Sequence, residues 1–242
     1  MLRFIMAVAL SLGLSACGDD RFPDYSYKVT VHAAGQEFTS VRHVEVTEGS
    51  IVTRRVTGEA VIIDHPNGRT YYALLARPDN ADYAKFMAGM ALAPHISKPA
   101  AKGEIEQALD EYDENRGVQD SFGGVAETLQ AMVKIKGPRD LPRSIPGRNR
   151  RPEMEAWPMF VTFDDPADPT TVREVTPESI GVDRITIEIT DENVTEGIED
   201  NFPWWMQFSN RRFDGKSSVT EDLRSNDIRH WLTTGQFSTG DQ

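Results

Sequence analysis

The sequence predicts an α+β fold, with antiparallel sheet in the N-terminal and C-terminal parts and short amphipathic helices between them. Three observations support this prediction. From Tyr25, apolar and polar residues alternate with the period of two that is typical of strands with one buried face. From Tyr83 the apolar spacing becomes that of a helix, and alternation returns at Trp157. With 39% apolar residues in a chain of 242, the protein can bury a sizeable core.

The first part of the chain predicts four strands separated by turn signals. Reversals are indicated at Gly35, at Gly49 and in His65-Pro66-Asn67-Gly68. Gly58 interrupts the third strand and predicts a bulge or a bend. We therefore expect a four-stranded antiparallel meander. Its strands begin at Tyr25 and then span Phe38 to Val46, Ile51 to Ile63, and Arg69 to Ala76.

The middle of the chain carries three apolar stripes at the i, i+3, i+4, i+7 spacing of amphipathic helices. Prolines and glycines separate the stripes, so we expect three short helices rather than one long one. The stripes are Tyr83, Phe86, Met87 and Met90; Ile105, Ala108, Leu109 and Tyr112; and Val125, Leu129, Met132 and Val133.

The last part of the chain returns to strands after a loop rich in proline and arginine that ends at Pro152. Asn193 with Glu196 resembles a capping box at the start of a short helix. We expect one domain over residues 25–234, with residues 137–152 as the place where it could divide, and a flexible tail over residues 235–242. The expected elements are strands at Trp157 to Phe163, Thr171 to Val175 and Arg184 to Thr190, and a final helix from about Thr220 to Thr233.

The first seventeen residues have the layout of an export signal. Arg3 supplies a positive charge, and an apolar run from Phe4 to Leu14 follows it. The run ends in Leu14-Ser15-Ala16-Cys17, which resembles the lipobox of bacterial lipoproteins. This resemblance implies a lipoprotein signal peptide over residues 1–17 that is cleaved just before Cys17, so that Cys17 becomes the first residue of the mature protein. It also implies diacylation of the Cys17 sulfur and a domain that faces the periplasm from the cell envelope. Residues 18–24 are then a polar tether, and the membrane is a partner through the lipid.

The membrane that holds the anchor is indicated by the residues after Cys17. In enteric bacteria an aspartate directly after the lipidated cysteine favours retention in the inner membrane. Here Gly18 follows, and Asp19 comes one place later. The pattern therefore favours the outer membrane over the inner one. The rest of the chain contains no cysteine, which suits an oxidising compartment and excludes thiol catalysis.

A C-terminal block, about a fifth of the chain, resembles a segment of uncharacterised proteobacterial lipoproteins. No activity is implied by this resemblance. Its residues are Val161-Thr162-Phe163-Asp164-Asp165-Pro166, Val172-Arg173-Glu174-Val175, Arg184-Ile185-Thr186-Ile187-Glu188-Ile189-Thr190-Asp191, Val194-Thr195-Glu196-Gly197-Ile198 and Pro203-Trp204.

The net charge of −12 excludes a general affinity for nucleic acid. One segment reverses the sign, because Lys134 to Pro152 contains many basic residues and a single acid, Asp140. Arg148, Arg150 and Arg151 are its densest part and are candidates for contact with an anionic envelope component or a protein partner. The alternative is a solvated loop whose charges pair with the protein's own acidic surface.

A second candidate contact is the aromatic cluster around Trp204 and Trp205. Neighbouring residues of an extended chain point to opposite sides, so one of the two indoles could be exposed and could hold a partner or a sugar. The alternative is a hydrophobic plug at the end of a sheet.

Catalytic motifs are absent from the sequence, which lacks G-x-S-x-G, H-E-x-x-H and a complete phosphate-binding loop. Antiparallel pairing could bring two of His32, His43 and His65 to one metal ion, although outward-facing histidines are common in sheets. Asp164, Asp165 and Asp168 lie in a proline-rich turn that suits calcium, or that simply uses aspartate as a turn former. We predict no catalytic residue, no cofactor and no metal ligand.

These patterns favour a lipid-anchored, non-enzymatic component of the cell envelope that binds a partner or a polymer. The alternative is an envelope hydrolase whose carboxylate or metal site the sequence does not reveal. A polar cleft that gathers histidines and acids would favour the hydrolase, and a basic surface at Arg148 to Arg151 would favour binding.

Overall fold

The protein is described by a computed structural model over residues 21–49, 52–93, 123–145, 153–209, 211–215 and 227–239. The α+β prediction is confirmed, with antiparallel sheets in both halves, few helices and a predominance of strand. The predicted four-stranded meander is wrong, however, because its strands belong to two different sheets.

The first sheet consists of five strands: β1 Tyr25–Ala33, β2 Gln36–Glu48, β3 Val52–Thr57, β6 Arg139–Asp140 and β11 Val182–Thr190. They are antiparallel and lie in the order β3, β2, β1, β11 and β6. Every second residue of β1 is buried, as the alternation from Tyr25 predicts. The β1–β2 connection is a two-residue turn in which Ala34 and Gly35 both have positive φ, the geometry that matches the twist of a hairpin.

The second sheet consists of four strands: β4 Val61–Asp64, β5 Thr70–Ala73, β9 Phe160–Phe163 and β10 Val172–Val175. They are antiparallel and lie in the order β10, β9, β5 and β4. Both faces of this sheet are buried, so neighbouring residues along β5 alternate between two cores: Tyr71 packs in one and Tyr72 in the other. A separate hairpin pairs β7 Ser144–Ile145 with β8 Met154–Glu155.

Gly58 is the point where the chain leaves the first sheet for the second. Its φ of +138° is a conformation that residues with a side chain rarely adopt. A Cβ atom placed there would lie 3.0 Å from Cγ of Arg42 and 3.0 Å from the carbonyl oxygen of Val41. The single strand predicted over Ile51 to Ile63 is therefore divided at Gly58 into β3 and β4. The sequence did not reveal this division, because period-two alternation looks the same in either sheet.

Two of the three predicted helices lie within the described residues and are confirmed. They are α1 Tyr83–Leu92 and α2 Gly123–Met132. Met87 and Leu129 are buried against the first sheet in the core that both helices share. The stripe that begins at Ile105 lies outside the described residues.

Two hydrophobic cores result from this arrangement. The larger core fills the space between the two sheets and the helices α1 and α2. The smaller core lies on the outer face of the second sheet, and half of its buried residues are aromatic. Ile198 and Trp205, from short C-terminal elements, are part of this smaller core, whereas Ile180 packs in the larger one. The short elements are 3-10 helices at Pro169–Thr171, Pro177–Ile180, Ile198–Asn201, Ile228–His230 and Thr234–Gln236, and helix α3 at Trp205–Phe208.

The C-terminal boundaries differ from those predicted. No capping box forms at Asn193, because the 3-10 helix there begins after Gly197, which has a φ of +108° and offers no side chain. The predicted final helix is a 3-10 turn at Ile228–His230 within the described residues. The expected flexible tail begins too early, since Phe237 is fully buried in the smaller core. Its backbone carbonyl also accepts a hydrogen bond from the Ala60 N–H, at 2.7 Å.

The tether is also shorter than predicted. Phe22 is buried in the larger core, and the Asp24 carboxylate accepts a hydrogen bond of 2.6 Å from the backbone N–H of Val46. The packed domain therefore begins at or before Phe22, not at Tyr25.

Replacing Gly58 with alanine is expected to lower the free energy of unfolding by about 2–4 kcal/mol, because backbone strain adds to the clash with Arg42 and Val41. Gly68→Ala is the matched control, since its φ is +80° but its Cβ would meet open space. The control substitution should lower the free energy of unfolding by only about 1 kcal/mol. Urea denaturation measures the loss of unfolding free energy in both variants, provided that its dependence on urea concentration is unchanged. Equal losses of unfolding free energy in the two variants would contradict the role given to Gly58.

Candidate functional site

A groove between α1 and α2 is the candidate site. It encloses about 110 Å³ and opens to solvent. An apolar cavity of about 150 Å³ admits one benzene, so this groove accommodates a group of a few carbon atoms. Its lining consists of Tyr25, Arg54, Lys85, Phe86, Gly89, Met90, Ala93, Thr128, Leu129 and Met132.

The floor of the groove follows from the helical spacing. Phe86 and Met90 lie one turn apart on α1, and Leu129 and Met132 lie on the facing side of α2. Phe86 was predicted as part of a core-facing stripe, but its side chain is 38% exposed at the rim of the groove. Exposed large apolar side chains of this kind are uncommon in the described part of the protein, where Met154 and Met206 are the other two.

Arg54 stands at the rim of this groove on β3, an edge strand of the first sheet. Strand alternation places it between Val52 and Val56 on the face that meets the core. Its guanidinium lies over the Phe86 ring, with 5.3 Å between Cζ and the ring centroid. Within the described ranges no carboxylate pairs with it, and its buried Nε donates no hydrogen bond.

A second, wider hollow of about 370 Å³ adjoins the groove and shares Arg54 and Lys85 with it. Its other walls include Arg55 and Asp82. Lys85 already has an anionic partner, because its Nζ lies 2.6 Å from Oδ1 of Asp82. Of the two cations that line both hollows, Arg54 is thus the one without a counter-ion among the described residues, and it lies between the apolar groove and a more polar hollow.

Sequence patterns did not single out Arg54. The sequence pattern that could have identified it is an arginine on the apolar face of an alternating strand, with a valine two positions before it and another two positions after it. That signal also has a structural explanation, since inward-facing charges protect edge strands from pairing with other chains.

A buried polar cluster lies at the junction of the two sheets. Arg42 is fully buried. Its Nε donates to the Glu59 backbone carbonyl at 3.2 Å, its Nη1 contacts Sδ of Met87 at 3.3 Å, and its Cζ lies 6.0 Å from the Tyr27 ring centroid. Ser40 donates to the same carbonyl at 2.8 Å. Both side chains on β2 therefore hold the residue that follows Gly58.

The Glu59 carboxylate extends this junction to the C-terminal part of the chain. It accepts hydrogen bonds from the backbone N–H groups of Gly197, at 2.8 Å, and of Ile198, at 3.0 Å. Burial raises the pKa of Glu59 above its ordinary value of 4.5, the two N–H groups oppose that rise, and the nearby charges of Glu199 and Glu196 add to it. Its bonds are structural, since both acceptor oxygens face the start of a 3-10 helix.

The basic segment lies only partly within the described residues. Arg148, Arg150 and Arg151 are outside them, so their predicted contact surface stays a prediction. Arg143 pairs with the protein's own acids, at 2.8 Å from Glu155 and 3.0 Å from Glu178, and covers the Trp157 ring at 4.6 Å. For this residue the self-pairing alternative is the one observed.

Trp204 and Trp205 are buried, with 4% and 5% of their surfaces exposed. Neither indole is an exposed contact residue, and of the two alternatives the plug in the smaller core is the one observed. The reason is local: the chain turns at Pro203 and enters α3, so the alternation of an extended strand does not apply. The Trp204 Nε1 donates to the Pro166 carbonyl at 2.8 Å, which satisfies its polar atom.

The three histidines do not share a site. In the β1–β2 ladder His43 lies opposite Ser26 and His32 opposite Glu37, so His32 and His43 are about 20 Å apart along the strands. His65 is in the turn between β4 and β5 of the other sheet, where it packs against Tyr71. Across the described ranges, no three histidine, cysteine, aspartate or glutamate side chains are placed to hold a metal.

The aspartate-rich turn uses its carboxylates for its own structure. Asp168 accepts a hydrogen bond from the Thr170 N–H, and Asp165 accepts one from the Ala167 N–H, both at 2.9 Å. Hydrogen bonds from Arg173 and Arg69, each 3.1 Å long, hold the pKa of Asp164 below its ordinary value. The turn-former interpretation accounts for these residues.

Comparisons with protein-family models, with curated proteins and with solved structures find no match for this chain. Among the helices in the described ranges, none has both the length and the apolar character needed to cross a membrane.

Glu59 provides a prediction about pH. Because its carboxyl binds a proton more tightly in the folded than in the unfolded state, the stability that protonation contributes is complete below pH 4.5. It is lost as the pH rises through the raised pKa. The free energy of unfolding, measured in urea from pH 4.5 to 7, should therefore fall in the wild type relative to Glu59→Gln as the pH rises. A difference that stays constant or rises would contradict the assignment.

Proposed function

We propose that this chain is a lipid-anchored, non-enzymatic binding component of the bacterial cell envelope, and that the groove between α1 and α2 receives an apolar part of its ligand. The observation that carries the proposal is the open groove itself, with exposed Phe86 at its rim and Arg54 beside it without a counter-ion among the described residues.

The anchor rests on the sequence Leu14-Ser15-Ala16-Cys17 after an apolar run, and it fits the way the domain begins. Arg21 is only four positions after Cys17, so an extended chain allows at most about 14 Å between them. Tyr25, a lining residue of the groove, follows after four more positions. A lipid on Cys17 would therefore hold the groove close to the membrane surface, with the outer membrane favoured by Gly18.

The hydrolase alternative has no supporting arrangement among the described residues. Such an enzyme would need a carboxylate or a metal at a polar cleft. The carboxylates that stand out, those of Glu59 and Asp164, are engaged in backbone hydrogen bonds and in ion pairs respectively. The groove is instead mostly apolar, which suits binding.

Lipidation is tested by labelling cells with an alkyne fatty acid. The wild type should take up label, and Cys17→Ser should lose the label and keep its signal peptide uncleaved, because the acceptor sulfur is gone. Ser11→Ala, in the same apolar run, is the matched control and should keep the label. A wild-type protein that takes up no label, or whose mature N-terminus is not Cys17, would contradict the proposed anchor.

A further inference from the structure

We infer that the groove binds the alkyl end of a single-chain anionic amphiphile from the adjacent membrane, with the anionic group held at Arg54. The inference rests on the proposed function, since it names the ligand of the groove proposed there. Arg54 is then the residue that selects for negative charge, and the apolar lining selects for the alkyl chain.

Size and polarity support this assignment. The groove of about 110 Å³ is lined chiefly by Phe86, Met90, Leu129 and Met132, so it takes a few methylene groups rather than a whole lipid. The adjoining hollow of about 370 Å³ is the more polar side, where a head group can remain hydrated.

Charge supports it as well. A guanidinium is suited to bidentate contact with a carboxylate or a phosphate. Arg54 and Lys85 both line the two hollows, but Lys85 is already paired with Asp82. The Arg54 Nε is a buried donor without an acceptor. An anionic group there would supply the counter-charge that the Arg54 guanidinium lacks among the described residues, at the place where an alkyl chain leaves the groove.

Position is the third support. The reach of the chain between Cys17 and Arg21, at most about 14 Å, keeps the domain against the bilayer if Cys17 is acylated. A ligand derived from the membrane is then available at high local concentration. This argues for an amphiphile over a soluble peptide as the occupant.

The test uses the mature lipidated protein in phosphatidylcholine nanodiscs, with methionine methyl groups labelled with carbon-13. Met90 and Met132 line the groove, while Met159 in the smaller core and exposed Met206 are internal controls. Met90→Leu and Met132→Leu assign the groove signals. The probes are hexanoate and its uncharged analogue hexanamide, both short enough to fit the groove.

Hexanoate should shift the Met90 and Met132 signals and leave those of Met159 and Met206 unchanged. Its dissociation constant should be at least about tenfold lower than that of hexanamide, as expected for a hydrogen bond to a charged group. Arg54→Met should remove this preference, Arg54→Lys should retain part of it, and Arg211→Met, at an exposed arginine remote from the groove lining, should leave it intact.

Several results would overturn the inference. Equal binding of hexanoate and hexanamide would leave the groove as an apolar site but remove the anionic ligand. Failure of both probes would remove the groove from the proposed function as well. If hexanoate shifts the Met90 and Met132 signals only in a Leu109→Lys variant, the chain's own residues 94–122 occupy the groove in the wild type. If Arg54→Met binds hexanoate normally but self-associates, Arg54 protects the edge strand instead.

Discussion

The fold depends on the junction at Gly58 and Glu59, where one chain segment is shared by the two sheets. Gly58 permits the backbone to turn against β2 without a side chain. Arg42 and Ser40 then hold the carbonyl of Glu59, and the Glu59 carboxylate holds the N–H groups of Gly197 and Ile198. An unpaired buried donor or acceptor costs about 1–3 kcal/mol, so each of these polar groups requires the others.

The junction also determines where the groove lies. Because the chain leaves the first sheet at Gly58, β3 remains an edge strand and its inward residue Arg54 reaches the rim instead of the core centre. Helix α1 follows the second sheet directly and packs back across β3, which places Phe86 beneath the Arg54 guanidinium. The candidate site is therefore a consequence of the change of sheet and not of a local motif.

Sequence patterns predicted the elements better than their arrangement. The alternation from Tyr25 and the helical stripe from Tyr83 identify a strand and a helix, because burial repeats with the period of the element. The same alternation cannot show which sheet a strand joins, so the division at Gly58 was predicted only as a bulge or bend. The burial of Trp204 and Trp205 depends on a turn at Pro203. Arg54 becomes part of a groove only because α1 packs beside it. Long-range packing decides all three.

The central claim is that this junction couples the two cores into one cooperative unit. Native-state hydrogen exchange tests it most directly, by comparing amides of β1, in the larger core, with amides of β9 and of residues near Phe202, in the smaller core. The two sets of amides should have the same opening free energy in the wild type, and in Glu59→Ala this free energy should be lower for the smaller core alone. Different opening free energies in the wild type, or an unchanged pattern in Glu59→Ala, would contradict it.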